Sequence, residues 1–261
     1  MRIRHIAIAL ATTALMSCSS GASSTSTSIA VPTSAADQAV TSTSVAAVMP
    51  DEASSIVTTT TAATTGKLTS FTAEVWADNW FSLYINGKLV GQDSVAITTE
   101  KSFNSDRITF TASYPFTIAM VTKDFKQNDT GLEYIGTDRQ QMGDGGFVAQ
   151  FTDTSTGKVV ASTNSSWRGL VVHQAPLNVS CEKSKTPDTE CTSRISAEPA
   201  GWSQTSFNDA SWSSASTYSK EQVGVKDGYE TINWDADAEL IWGSNLNTNN
   251  TILWRTRIPL L

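Results

Sequence analysis

Between residues 71 and 258 the apolar positions recur mainly at every second residue, the period of a half-buried strand. Phe71, Ala73 and Val75 alternate with Thr72, Glu74 and Trp76, which predicts a strand facing a core on one side. In WFSLYINGKLVG (80–91), Phe81, Leu83 and Ile85 alternate into Asn86-Gly87, and Leu89 resumes the pattern. Asn-Gly tolerates the positive φ angles of a two-residue primed turn, so this stretch predicts a hairpin. RITFTA, FTIAMVTKDF, GGFVAQFTD and KVVAST read as further strands, the last two joined by a TSTG turn. Near the end, NNTILWRTRI (249–258) sets Ile252, Trp254, Thr256 and Ile258 against Leu253, Arg255 and Arg257. No stretch here keeps a helical apolar period for more than about two turns. Many short strands with turn residues between them predict an all-β, antiparallel β-sandwich.

The pattern changes before residue 67. Arg2 and Arg4 precede an apolar run, Ile6 to Met16, that is too short to span a bilayer at about 20 residues per crossing. A basic start followed by a short apolar run reads as a secretory signal, here residues 1–17. The run ends in Leu15-Met16-Ser17-Cys18, which resembles the lipobox of bacterial lipoproteins. That resemblance implies a lipid on Cys18 and a chain held at a bacterial cell envelope, at the outer membrane or cell surface, by the lipid alone. Residues 18–66 are mostly Ser, Thr, Ala and Val without an aromatic, too poor in apolar surface to offset ordering entropy. They are expected to form a disordered tether with an r.m.s. span on the order of 40 Å. All eight tryptophans follow it, so the folded domain is placed at 67–261.

Three cysteines occur in the chain. If Cys18 carries lipid, Cys181 and Cys191 remain as an even pair in an oxidising compartment, where disulfides persist. CEKSKTPDTEC (181–191) is polar and carries a proline, so it is expected to be an exposed loop stapled at its base. Charge narrows the partners. Only 16 % of residues are charged and the net charge is −7, with no basic cluster. Nucleic acid and anionic membrane surfaces are therefore disfavoured, since both are held by Lys and Arg.

Three segments resemble the galactose-binding-like β-sandwich, a jelly roll found as an ancillary module in β-galactosidases, α-L-rhamnosidases and other carbohydrate-active enzymes. WFSLYINGKLVG is similar to the aromatic strand and hairpin of those modules. GWSQTSFNDASWSSA (201–215) is similar to their segment with two tryptophans, with Asn208-Asp209 where two acidic residues are usual. IWGSNLNTNNTILWRTRI (241–258) is similar to a strand that rhamnosidase modules carry ahead of the hairpin and that lies C-terminal here. The resemblance implies the jelly-roll fold and, as one of several functions that fold hosts, glycan or polysaccharide binding. It also implies that Trp202, Phe207, Asp209 and Trp212 pack structurally, with Asp209 capping a turn through backbone N–H groups.

Sugar recognition needs an aromatic face and a few planar polar groups. Asp78-Asn79-Trp80 offers both at a strand entry, as do Trp167 with Arg168 and Trp234 with Asp235 in a Gly/Asp-rich loop. The loop DTGLEYIGTDRQQMGDGGF (129–147) carries Asp129, Glu133, Asp138 and Asp144, an oxygen-rich set of the kind that binds Ca²⁺. Beyond the signal the only histidine is His173, beside an apparent strand, and no nucleophile elbow or HExxH helix is present. The chain is therefore expected to be a non-catalytic carbohydrate binder. The alternatives are a structural module contacting an envelope protein partner, and a diverged glycoside hydrolase requiring two converging carboxylates.

Overall fold

The computed structural model describes residues 66–97, 104–124 and 127–260. The expected signal, Cys18 and the expected tether up to residue 65 lie outside those residues. The chain runs β1 (Thr69–Asp78), β2 (Trp80–Ile85), β3 (Lys88–Gln92), β4 (Ser105–Ala112) and β5 (Phe116–Lys123). A short hairpin of β6 (Leu132–Glu133) and β7 (Gln141–Met142) precedes β8 (Gly146–Asp153), β9 (Lys158–Ser162) and β10 (Arg168–Gln174). Then come α1 (Pro187–Glu190), β11 (Arg194–Ile195), β12 (Ser213–Ser214), β13 (Ser216–Tyr218), α2 (Lys220–Val223), β14 (Leu240–Trp242) and β15 (Asn249–Ile258).

These strands form two antiparallel sheets packed face to face, an all-β sandwich. One sheet has the order β13-β14-β8-β1-β4, with β9 also on β8. The other has the order β11-β10-β15-β5-β2-β3, with β12 also on β10. The period-two pattern explains the core between them. Phe71, Ala73, Val75 and Ala77 of β1 face Phe81, Leu83 and Ile85 of β2, together with Ile252, Trp254 and Ile258 of β15. At the β2–β3 turn Asn86 has φ 51° and Gly87 φ 83°, the two positive angles a primed hairpin needs. The Asn86 side chain also accepts the Thr117 N–H at 2.8 Å, tying the turn to β5.

Both sheets carry apolar residues on their outer faces as well, and each is covered. Ala119, Val121 and Leu253 lie under a cover segment bearing Trp202 and Trp212. Trp76 and Val148 lie under a second one bearing Val223, Tyr229 and Trp234. Alternation alone placed Trp76 opposite the core face. Its complete burial comes from this second cover, which also takes the indole N–H onto the Asp227 carbonyl at 3.1 Å. The stapled loop is present as well: Cys181 and Cys191 are disulfide-bonded, ten residues apart in sequence.

Candidate functional site

The segment with two tryptophans is held from beneath by Arg255 of β15. The guanidinium is wholly buried; Nε donates to Asp209 Oδ2 at 2.7 Å, Nη1 to the Gln204 carbonyl at 3.1 Å and to the Trp202 carbonyl, and Nη2 to the Phe207 carbonyl at 3.4 Å. Trp202 packs edge-on against Tyr84 with centroids 5.6 Å apart, and Phe207 against Trp212 at 5.5 Å. The expected turn-capping role of Asp209 is corrected here. Its carboxylate turns inward to Arg255, while Asn208 Oδ1 accepts the Ala210 N–H at 3.0 Å.

Three of the expected sugar contacts lie inside the protein. Asp78 and Asn79 are 1 % exposed at the end of β1, and Trp167 is fully buried against Phe147 and Phe151. The Trp167 indole N–H donates to the Ser162 carbonyl at 2.9 Å, so its ring and its polar edge are both engaged. Alternation could not separate these positions from surface ones, because strands from both faces are buried. Trp80 is half-buried under Lys123, whose ammonium lies 5.0 Å from the ring centroid. Trp234 is half-buried, leans on Tyr229 at 5.7 Å and donates to its carbonyl at 3.0 Å.

The oxygen-rich loop does not gather into one cage. Asp129 and Asp138 are exposed, Glu133 is buried, and Asp144 points toward Lys226. Among the described residues no three His, Cys, Asp or Glu side chains are arranged to hold a metal ion. The Lys226 ammonium instead lies 3.3 Å from Asp144 and 3.4 Å from Asp78. Burial pushes the Asp78 carboxyl well above its usual range, with Asp144 and Glu133 adding repulsion and Lys226 opposing it. Burial also acts on Lys226, in the downward direction. Asp78 and Asp144 outweigh it and hold that ammonium above its ordinary pKa. His173 is buried in β10, with Nε2 3.4 Å from the Asp129 carbonyl oxygen.

A cleft of about 290 Å³ opens where the β13–β14 side of one sheet faces β10 and β12 of the other. Its apolar lining is Leu170 and Val171, half-buried, with the buried Ile252, Trp212 and Trp254. Gly169 is required there, since a Cβ would sit 2.5 Å from the Trp254 ring. The mouth is hydroxylic, with Ser211, Ser213, Ser214, Ser216 and Ser244. Arg168 borders it, reaching Ser214 Oγ at 3.2 Å and the Trp212 carbonyl at 3.4 Å. Of the sequence-derived sugar contacts, Arg168 alone stands beside this cleft. The serine run SWSSAS (211–216) was the signal for the rest, hidden within a segment whose aromatics dominate its reading.

Comparison with protein-family models, with curated protein sequences and with solved structures gives no match.

Proposed function

We propose that this chain is a non-catalytic envelope lipoprotein whose β-sandwich binds carbohydrate in the serine-lined cleft beside Arg168. The observation that carries this reading is the cleft's mixed lining. A pyranose presents C–H groups on its faces and hydroxyls around its rim. An apolar lining beside serine hydroxyls is complementary to both. Arg168 adds fixed N–H donors at the rim, suited to ring or substituent oxygens. The volume lies at the lower limit of ligand pockets, roughly 300 Å³, which favours one or two sugar units over a long chain. The lipobox at Cys18 and the tether behind it would hold this cleft away from the membrane.

The test is calorimetric titration of the purified full-length chain against a panel of mono- and disaccharides. The exposed mouth residue Ser244 is replaced by tryptophan in a parallel sample. The reading expects saturable binding to a subset of the sugars and its loss in Ser244→Trp with an unchanged melting temperature. Equal binding by both proteins would place the sugar elsewhere.

A further inference from the structure

The outer edge of β9 is open. β9 pairs with β8 alone, and among the described residues no backbone group of Val159, Val160 or Ala161 bonds to a strand on its other side. The 235–239 loop closes only the C-terminal end of this edge: Glu239 N–H donates to the Thr163 carbonyl at 2.8 Å, and Ser162 Oγ to that of Asp237 at 3.2 Å. Between the open edge and the loop lies a depression of about 640 Å³ lined by Val159, Val160, Ala161, Asp235, Asp237 and Glu239. Asp237 and Glu239 are exposed, and among the described residues none of the three carboxylates is ion-paired.

We propose that this edge takes an extended, cationic polypeptide segment as an added strand. The open side of β9 leaves backbone groups without a partner strand, and another extended backbone supplies complementary donors and acceptors. The carboxylates select the partner's charge, and the chain's net charge of −7 draws a basic segment toward them. The added strand is short. Lys158 bounds the edge at its N-terminal end, and the β8–β9 register shift leaves Val160 as an extra residue midway along it, devices that also stop open-ended stacking. Room remains for on the order of three residues at strand rise. None of the residues lining this depression lines the serine cleft, so this proposal stands or falls separately from carbohydrate binding.

The experiment is fluorescence anisotropy with the full-length chain and labelled peptides that alternate lysine with valine. A strand pairs through one edge, so the peptide is made in both alternately N-methylated registers, and also with glutamate in place of lysine. Saturable binding by the lysine peptide is expected. It should fall at least about tenfold in one N-methylated register and in the Asp237→Lys, Glu239→Lys double variant, and be absent for the glutamate peptide. The double variant alters exposed side chains, and its melting temperature checks that the fold is intact. No saturable binding overturns the proposal. Binding that both N-methylated registers retain, or that survives the charge reversal, overturns it equally.

Discussion

The Arg255 guanidinium donates from Nε to Asp209 Oδ2 at 2.7 Å, joining the middle of the last strand to the tip of the cover segment over it. Arg255 is wholly buried, and the remaining partners named above are carbonyls of that same segment. The segment is thus keyed to the sheet by one cation. Because Trp212 and Ser213 belong to it, the key also positions one wall of the serine cleft.

Arg255→Met is therefore expected to destabilise the domain by about 3–5 kcal/mol, since it leaves Asp209 and three carbonyls without their donor. Urea denaturation followed by tryptophan fluorescence measures this. Asp209→Asn keeps an acceptor toward Arg255 and is expected to cost less, about 1–3 kcal/mol. Equal losses would mean that the carbonyl contacts contribute little.

Lys226 stands between Asp78 and Asp144, where the sequence alone suggested a calcium ion nearby. Adding millimolar calcium, or removing it with a chelator, is expected to leave the melting temperature unchanged. Replacing Lys226 with methionine removes the counter-charge of a buried carboxyl already pushed upward by desolvation. The loss of stability should grow as pH rises, because a carboxyl whose folded pKa is raised keeps its proton at low pH and calls on the Lys226 charge only as it ionises.

A second buried acid gives the pH dependence a sign. Burial raises Asp93 from 3.8 to about 6, with repulsion from Asp106 adding to it and the Val95 N–H opposing it. A carboxyl with a raised folded pKa binds more protons folded than unfolded between those two values. Stability therefore falls as pH rises from about 4 to about 6. Melting temperatures across that interval should decline, and Asp93→Asn should flatten the decline.

The Cys181–Cys191 bond closes a short loop whose chain reaches back to the β6–β7 hairpin. Gln140 Nε2 donates to the Glu182 and Ser184 carbonyls at 2.7 and 2.8 Å. Replacing both cysteines with serine is expected to cost roughly 2–3 kcal/mol by loop-closure entropy. Denaturant midpoints of the two proteins under non-reducing conditions test it.

The sandwich was legible because its central strands alternate cleanly and Asn86-Gly87 declares a hairpin. The disulfide was legible because two cysteines remained in a polar loop. The site was less so. Asp78, Asn79 and Trp167 have the right chemistry for a sugar but are buried, and burial at strand ends depends on loops distant in sequence. Asp78 is covered through Lys226, which lies 148 residues further along the chain. The cleft joins Gly169, Ser214, Ser244 and Trp254 from four separate elements or their flanks, and no local pattern brings such residues together.

The most direct test of carbohydrate binding in that cleft is an amide chemical-shift map of the isotopically labelled full-length chain, titrated with the best sugar of the panel. The account predicts saturable shifts centred on Gly169, Ser213, Ser214 and Ser244. Shifts centred elsewhere, or none with any sugar, would contradict it.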